Sequence, residues 1–524
     1  MLPGRDRTAE KAGQVVASPH VAMQTLPAKP GLTSYASRSR CKLDRPADRH
    51  GGDSTRHLVA SGAPDLTPGH HVSRNALMAT TVGNRVRRSL ESYQRANQLI
   101  PGATQLVSRR PTRYANGISP VYAEKAKGAY LWDVDGNRYI DWVSGIGSII
   151  LGYADEVVDD AVREQLSRGT VYSISHELEL ELAEELVNRI PCAEMVRYAK
   201  GGGEACAIAV RIARGTTGRD KVLFCGYHGW HDWYLAANLE QDAHLDEHLF
   251  PGIEPLGVPQ ALAGTAIPFP YGDLDMLGTI LDEHRDQVAA IMMEPLRSEW
   301  PPEGYLEGVV KLAREHGVVL IFDEVSTGFR PSPGGAQARL GVTPDMAVFA
   351  KSISNGYAMG AVVGKREVME PAAQMFISST YWGDTLGLRA ALTTLREITR
   401  RDVPGTLDQL GQNLIRELNQ IADETSLDVR CAGVNYHPHL AFAGSDANEQ
   451  RQLSTLYIQE MAKRGCHGYA SFYTNASQDS AVLQQTLEAA REVFGLLATA
   501  RSDGRLMELL ECDLSQDFFR RLVD

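Results

Sequence analysis

The chain has 524 residues, of which 43% are hydrophobic and 23% charged, and its formal net charge is −12. This is the composition of a globular protein with a large core, and its acidic balance gives no indication of a nucleic-acid partner. The seven cysteines show no CxxC spacing, which predicts reduced thiols in a cytoplasmic protein with neither a zinc site nor disulfides. No apolar run is long enough to cross a bilayer, so no membrane association is predicted.

The first 77 residues differ in composition from the rest of the chain. They carry eleven Lys or Arg against six Asp or Glu, are rich in Ser, Gly, Pro and His, and show no sustained hydrophobic period. We expect disorder here, because such a segment buries too little apolar surface to offset the entropy lost on ordering. Three interpretations stay open: a natural tail, an organelle-targeting segment, or a non-native extension before a start at Met78. The length and the six acids disfavour targeting.

Residues 78–174 are predicted to form an N-terminal segment that belongs to a smaller domain. Apolar residues at helical spacing in 85–99 predict a helix, which Pro101 and Gly102 end. Alternating apolar residues on both sides of Asp135-Gly136 predict a β-hairpin.

Residues 175–385 alternate between helical patterns and short apolar strands. This order predicts a large domain with a mostly parallel sheet flanked by helices on both faces. The predicted strands include residues 222–225, 289–293, 318–322 and 347–349.

Residues 386–524 are predicted to form a smaller α+β domain. Amphipathic helices are expected at 386–400 and 406–425, with Pro404-Gly405 as the break between them. Short strands follow, together with helices near 449–464 and 480–498.

Two strand ends carry the residue pair with the clearest chemical meaning. Asp323 ends the apolar run at 318–322 and Lys351 follows 347–349, so parallel strands would bring an acid and an amine to one edge of the sheet. A pyridoxal cofactor needs such a pair, because the amine binds its aldehyde and the carboxylate keeps its ring nitrogen protonated. Taken alone, a lysine at this position is more often solvated or paired with a nearby acid than catalytic.

Other residues are predicted at the same edge. Gly202 and Gly203 precede a helix, where backbone N–H groups could bind a phosphate or simply form a turn. Tyr227 follows a strand and could stack on a flat ring or pack in the core.

Glu294 also follows a strand, and it could contact a substrate or cap a helix. Thr380 lies in a polar and aromatic stretch before a helix and could donate to a phosphate. His228 and His231 have no third ligand at suitable spacing, so no metal site is predicted.

Six segments, in this order, resemble the motifs of class III aminotransferases, in particular the glutamate-1-semialdehyde aminomutase branch. They are Gly201-Gly202-Gly203-Glu204-Ala205, Gly226-Tyr227-His228-Gly229, Glu294-Pro295, Asp323-Glu324-Val325-Ser326-Thr327-Gly328-Phe329-Arg330, Lys351-Ser352-Ile353-Ser354-Asn355-Gly356 and Ser379-Thr380-Tyr381-Trp382-Gly383-Asp384. The likeness extends from Ser89 to Phe494, nearly all of the chain after its atypical head. It implies an α/β protein of fold type I, with a large sheet domain, a smaller α+β domain and pyridoxal 5′-phosphate as cofactor.

The resemblance also implies roles for single residues at the cofactor. Lys351 would bind the cofactor covalently and move the substrate proton, while Asp323 would pair with the ring nitrogen. Val325 and Tyr227 would pack on the two faces of the ring.

At the phosphate, the resemblance implies that Gly202 and Gly203 donate backbone N–H groups. Thr380 would reach the phosphate of a neighbouring subunit, because the family forms homodimers with shared active sites. Arg109 would bind a substrate carboxylate, although Arg110 or Arg113 could serve equally or all three could be surface charges. Ser144 to Gly147 would lie in the substrate pocket.

The phosphate loop departs from the family pattern Asn-Ser-Gly-Thr/Ser-Glu-Ala. Lys200, Gly201 and Gly203 replace the Asn, the Ser and the hydroxyl residue. We expect cofactor binding to persist but to be weaker by about 1 kcal/mol, the worth of one hydrogen bond. Lys200 could supply positive charge instead.

A second departure concerns the substrate. The aminomutase carries an acid in a Ser-x-Phe-Glu stretch of its C-terminal domain, whereas residues 470–475 of this chain contain none. We therefore expect a transaminase that moves an amino group between an amino compound and a carbonyl compound, with a small carboxylate-bearing substrate. An aminomutase is the alternative, and a non-catalytic cofactor-binding protein is the alternative of another class.

Overall fold

The computed structural model describes residues 85–239 and 254–516, so the head predicted for residues 1–77 lies outside the described part. The strands in these ranges are β1 (Ala123–Lys127), β2 (Tyr130–Asp133), β3 (Arg138–Asp141), β4 (Met195–Ala199), β5 (Lys221–Cys225), β6 (Ala266–Pro268), β7 (Val288–Met293), β8 (Val319–Asp323), β9 (Met346–Phe349), β10 (Gly360–Gly364), β11 (Val429–Ala432), β12 (His439–Phe442) and β13 (Cys466–His467).

The longer helices are α1 (Arg87–Leu99), α2 (Glu156–Leu166), α3 (Glu177–Arg189), α4 (Gly202–Thr217), α5 (Leu274–Glu283), α6 (Tyr305–Glu315), α7 (Gly335–Leu340), α8 (Thr385–Arg400), α9 (Val403–Thr425), α10 (Ala447–Lys463) and α11 (Ser480–Ser502). Four-residue helices are Ser144–Gly147, Asp232–Leu235, Arg366–Met369 and Leu506–Leu509. Short 3-10 helices are Val107–Arg109, Pro111–Arg113, Ala236–Leu239, Gln260–Leu262, Lys351–Ser354 and Glu370–Gln374.

A seven-stranded sheet forms the centre of the larger part of the molecule. Its strand order is β4-β10-β9-β8-β7-β5-β6, and β10 runs antiparallel to both of its neighbours. Strands β6, β5, β7, β8 and β9 pair in parallel. The prediction of a mostly parallel sheet is therefore confirmed, and the four predicted strands all lie within it.

Both faces of this sheet are covered, because successive side chains of a strand point to opposite faces. From β8, Leu320 and Phe322 join one hydrophobic cluster together with helices α2, α3 and α8. Val319 and Ile321 join a second cluster, to which α4 contributes more side chains than any other helix. Burial on both faces explains why these strands are continuous apolar runs in the sequence.

A smaller sheet joins the beginning of the described chain to its end. Its order is β1-β2-β3-β13, and β13 pairs in parallel with β3. The antiparallel pair β2–β3 confirms the hairpin predicted at Asp135-Gly136. Trp142, Leu414 and Phe494 belong to one hydrophobic cluster, so residues far apart in sequence share a core. The domain boundaries at 174 and 385 stay predictions.

The junction between α8 and α9 differs from the predicted one. Helix α9 already begins at Val403, and its N-cap residue, Asp402, has φ +46° and accepts a hydrogen bond from Gly405 N at 3.4 Å. Pro404 therefore lies in the first turn of the helix rather than in a break. Proline is tolerated there because the first helical residues have no intrahelical acceptor for their N–H groups.

Glu324 connects the end of β8 to the start of α7. Its fully buried carboxyl group accepts hydrogen bonds from Gln337 N at 3.2 Å and Gln337 Nε2 at 3.0 Å, and also one from Ala336 N. Burial raises the pKa of Glu324 to about 7, although these hydrogen bonds act in the opposite direction.

This pKa predicts a pH dependence of stability that Glu324→Gln removes. The native carboxyl binds its proton more tightly than the unfolded one, with an ordinary pKa of 4.5. Its stabilising contribution is therefore complete below pH 4.5 and is lost as the pH rises through about 7. The unfolding temperature of the natural chain should fall by several degrees relative to Glu324→Gln between about pH 5 and pH 8. Parallel curves for the two proteins would contradict this account.

Candidate active site

The carboxylate of Asp323 lies at the centre of the carboxyl edge of the large sheet. Asp323 is the last residue of β8, is 3% exposed and pairs with Val348 of β9. Its Oδ1 accepts a hydrogen bond from Val325 N at 2.9 Å, and its Oδ2 lies 2.7 Å from His228 Nδ1. These donors replace the water that an ionised carboxylate loses on burial.

Cys206 adds a third donor to the same carboxylate. Its Sγ lies 3.4 Å from Asp323 Oδ2, and burial raises the pKa of the thiol well above its ordinary value. The protonated thiol is therefore a weak donor to the carboxylate. Cys206, His228 and Asp323 bring potential metal-ligand atoms within 4.8 Å of one another, but their mutual hydrogen bonds already explain the cluster.

Lys351 lies at the end of the neighbouring strand. It follows β9 after a single residue, has φ +50°, and its Nζ donates to Ser326 Oγ at 2.7 Å. A left-handed conformation costs a residue other than glycine about 1 kcal/mol, so the surrounding structure must enforce it. In the same motif, Asn355 Oδ1 accepts hydrogen bonds from Ile150 N at 3.0 Å and Leu151 N at 2.9 Å, which attach this segment to the chain after Ser144.

Gly202 and Gly203 form the first turn of α4 and pack closely against two other strand-end loops. A Cβ atom at Gly202 would lie 2.7 Å from Val325 Cγ1, and one at Gly203 would lie 3.3 Å from Gly229 Cα. The approach requires small residues, and it leaves the N–H groups of the helix N-terminus next to Val325. Such N–H groups favour an anion.

Tyr227 follows β5 and keeps 37% of its surface exposed. Its ring lies edge-on to Tyr234, with the ring centroids 6.3 Å apart. Tyr234 is buried and donates its hydroxyl to Gly226 O at 2.7 Å. The ring of Tyr227 is thus supported from within and presents a surface outward.

Lys200 does not point to the glycine loop that it precedes. Its Nζ lies 3.0 Å from Asp384 Oδ2, and both side chains are about one-fifth exposed. Asp384 is the N-cap residue of α8 and accepts a hydrogen bond from Gly387 N at 3.2 Å. The positive charge expected at the phosphate loop is therefore paired with Asp384 at the start of another helix.

Arg330, the last residue of the motif that begins with Asp323, connects the segment after Ser144 to the segment at residues 470–475. It is fully buried, and its guanidinium donates to Thr474 O at 2.9 Å and to Gly147 O at 2.6 Å. Burial lowers the pKa of Arg330 to about 10. The ring of Tyr473 lies beneath the guanidinium at 5.8 Å and stacks on the ring of His437 at 3.8 Å.

Ser144 lies in an unusual turn near these residues. Residues 144–147 all have positive φ, between +47° and +73°. The Ser144 hydroxyl donates to Tyr473 O at 2.6 Å and accepts from Asn475 Nδ2 at 3.0 Å. Its polar atom is thus used within the protein, and its predicted contact with a substrate stays a prediction.

Arg109 is exposed and ends the short helix Val107–Arg109. Burial and Asp141 raise the pKa of Tyr153, whereas the positive charge of Arg109 acts to lower it. The Tyr153 hydroxyl lies 3.7 Å from the position of a Cβ on Gly145, in the same turn as Ser144. Arg109 and Ser144 therefore lie in one region, although substrate binding by Arg109 stays a prediction.

Glu294 and Thr380 differ in their surroundings. Glu294 is buried, and its Oε2 lies 3.6 Å from Nε of the equally buried Arg297. Thr380 is exposed on the segment before α8. Their roles at a substrate and at a neighbouring phosphate both stay predictions.

No role was predicted from the sequence for His228, Cys206, Asn355 or Arg330. The available signal was position. His228 directly follows Tyr227 at a strand end, and Arg330 and Asn355 lie within the two most specific motifs.

A comparison with family models matches residues 113–465 to the model described as aminotransferase class-III. Among curated proteins, 3-aminobutyryl-CoA aminotransferase of Cloacimonas acidaminovorans is 35% identical over 422 residues, covering 78% of this chain and 97% of the relative. Glutamate-1-semialdehyde 2,1-aminomutase of Syntrophobacter fumaroxidans is also 35% identical, over 428 residues, with 78% and 97% covered.

Among solved structures, an omega-transaminase from Sphaerobacter thermophilus has a similar fold. The TM-score is 0.69 at 26% identity, and the match covers 78% of this chain and 98% of that structure.

The packing at the start of α4 predicts that alanine substitution at two adjacent glycines changes the stability of the fold by different amounts. Gly202→Ala should lower the unfolding temperature, because its methyl group would displace Val325; overpacking of this kind costs about 1–3 kcal/mol. Gly201→Ala is the matched control, since a Cβ there meets no atom within 4 Å. Equal unfolding temperatures for the two variants in calorimetry would contradict the described packing.

Proposed function

The chain belongs to the class-III aminotransferase family, and on that premise we propose that Lys351 and Asp323 hold pyridoxal 5′-phosphate for amino transfer between an amino compound and a carbonyl compound. One observation carries the assignment of these two residues. Strands β8 and β9 are adjacent and parallel, and one ends in a buried carboxylate while the other leads into a lysine held at positive φ.

The surroundings of the two residues fit the shape of this cofactor, a flat ring that carries a phosphate. Gly202, Gly203 and Gly229 pack too closely to admit Cβ atoms, and they form a glycine cradle beside the N–H groups that suit a phosphate. Val325 packs against this cradle, which supports its assignment to one face of the ring. The outward ring of Tyr227 supports its assignment to the other face.

Bound pyridoxal phosphate supplies an electron sink for the carbanion that forms when a substrate loses its α-proton. Asp323, oriented by His228 and by Val325 N–H, holds a proton on the ring nitrogen. Lys351 Nζ would hold the cofactor through its aldehyde, and as a free amine it would accept and return the substrate proton. Ser326 Oγ, 2.7 Å from Nζ, orients the amine.

The family's two reaction types differ in the substrate. The relatives that are 35% identical include an aminotransferase and an aminomutase. We favour the aminotransferase, because residues 470–475 contain no acid and Tyr473 instead stacks on His437. A small carboxylate-bearing substrate is proposed from the charge of Arg109 near the Ser144 turn.

A role in cofactor binding without turnover is the competing hypothesis of another class. The glycine-only phosphate loop is the feature that favours it. The presence of both Lys351 and Asp323, each held by specific hydrogen bonds, favours an enzyme.

A homodimer with shared sites is proposed from the exposed surface near the site. Thr380 lies between two strongly exposed aromatic residues, Phe376 at 84% and Tyr381 at 64%. A second copy of the chain would cover these side chains. Thr380 of the first chain would then lie at the phosphate loop of the second chain. Large exposed apolar side chains are typical of such interfaces.

A cytoplasmic location is proposed from the thiols. The six cysteines in the described ranges are all unpaired. None of the helices in those ranges combines the length and the apolar character that a bilayer crossing requires. Unpaired buried thiols are typical of a reducing compartment.

The proposed function is tested by half-reactions followed by absorbance. The purified protein with bound cofactor is mixed with single amino donors, including β-amino and α-amino acids, and then with single carbonyl acceptors. A transaminase should lose its cofactor absorbance with a donor alone and regain it with an acceptor. Glutamate-1-semialdehyde should be tested separately, since an aminomutase converts it to an isomer without any acceptor.

Two outcomes would contradict the proposal. Absorbance that no amine changes would indicate a binding protein. Isomer formation without an acceptor, together with inactivity towards all donor and acceptor pairs, would indicate the aminomutase.

Asp323→Asn should lower kcat by about 100-fold or more, because the neutral side chain no longer stabilises charge on the ring nitrogen. Asp345→Asn is the matched control, since Asp345 precedes β9 at the opposite edge of the sheet. Steady-state rates at saturating cofactor and donor measure both effects. Comparable loss in the two variants would show that Asp323 acts only through the fold.

A further inference from the structure

The ion pair between Lys200 and Asp384 lies at the point where the loop departs from its family. The loop has exchanged Asn and Ser side chains for Lys200 and Gly201 and has lost a hydroxyl at Gly203. Such a loop is conformationally permissive, and each binding event must then restrict it. A contact that orders the loop before the ligand binds would strengthen binding, even though that contact does not involve the ligand.

Two contacts leave Lys200 in different directions. Its backbone N donates to Glu204 Oε2 at 2.7 Å and so closes the loop on the first turn of α4. Its side chain reaches Asp384 Oδ2 at 3.0 Å. The loop is thus held at its start to α4 and to the beginning of α8.

The amine would not stay at that place without its carboxylate. A Cβ on Gly387 would lie 2.8 Å from Lys200 Nζ, which places the ammonium over the first turn of α8. The N-terminus of a helix repels a cation, so Asp384 is the group that holds the amine there. Asp384 also caps α8, through its hydrogen bond from Gly387 N.

We propose that the Lys200–Asp384 ion pair is a positioning device for the cofactor's phosphate, which fixes the glycine loop against α8 in place of the side-chain donors that the loop has lost. In this role Lys200 does not bind the phosphate. The same pair fixes the end of the segment that carries Thr380. The inference rests on the proposed function, because it takes the loop to be the phosphate site.

The alternative is that Lys200 leaves Asp384 and binds the phosphate directly, and a double-mutant cycle separates the two roles. The variants are Lys200→Met, which keeps the length of the side chain, and Asp384→Asn, which keeps a good N-cap residue. Dissociation constants of the apoprotein are measured by absorbance titration for pyridoxal phosphate and for pyridoxal, which has no phosphate.

A positioning role predicts that each single variant binds pyridoxal phosphate about fivefold more weakly and that the double variant is no worse than either. Binding of pyridoxal should not change. Lys365→Met and Asp345→Asn are the matched controls, because that pair has a distance of 2.6 Å, similar exposure and a place at the opposite edge of the sheet. Both controls should bind as the natural chain does.

The inference is overturned by tighter or unchanged binding in Asp384→Asn with weaker binding in Lys200→Met, which would mean direct contact with the phosphate. It is also overturned if neither variant changes binding, or if pyridoxal is weakened as much as pyridoxal phosphate. Unfolding temperatures of all variants exclude a loss of fold. Failure of the natural apoprotein to bind pyridoxal phosphate would instead refute the proposed function.

Discussion

The site depends on how one buried carboxylate is kept hydrogen-bonded. A carboxylate that leaves water loses several kcal/mol of hydration unless donors replace the water. Asp323 obtains its donors from three segments: Cys206 in α4, His228 after β5 and Val325 in the turn after β8. Its need for donors therefore fixes these segments relative to one another, and Lys351 lies on the adjacent strand.

The same three segments carry the residues that we assign to the cofactor. Gly202 and Gly203 belong to α4, Tyr227 adjoins His228, and Val325 supplies both an N–H group and a side chain. The hydrogen-bonded carboxylate thus holds together the segments to which we assign the cofactor's phosphate and the two faces of its ring. This makes the site a product of packing between strand ends, which is where ligands bind in open α/β sheets.

Much of the fold could be predicted because its central strands have an unambiguous pattern. Strands β5, β7, β8 and β9 are buried on both faces, so they are short apolar runs, and a polar or glycine residue follows each of them within two residues. The parallel pairing of β3 with β13 could not be predicted, since it joins Ile140 to Cys466 and no local pattern records such a partner. The predicted start of α9 was wrong, because a proline in the first turn of a helix cannot be told from a proline between two helices by sequence alone.

The residues of the site also divide into those that the sequence predicts and those that it does not. Asp323 and Lys351 were predicted at one edge of the sheet because strand ends and motif order determine their place. The partner of His228 lies 95 residues away and that of Lys200 lies 184 residues away, so neither contact has a signal along the chain. Lys200 shows the limit most clearly, since its place beside the glycine loop allowed a charge at the phosphate, whereas its side chain pairs with Asp384.

We propose Lys351 as the amine that carries the cofactor, and this assignment can be tested directly. Borohydride reduction of the protein with bound pyridoxal phosphate, followed by proteolysis and mass spectrometry, identifies that amine directly. The account predicts the reduced pyridoxyl group on the peptide that contains Lys351, at one group per chain. A stable label on another lysine, or a protein that binds the cofactor and acquires no label, would contradict it.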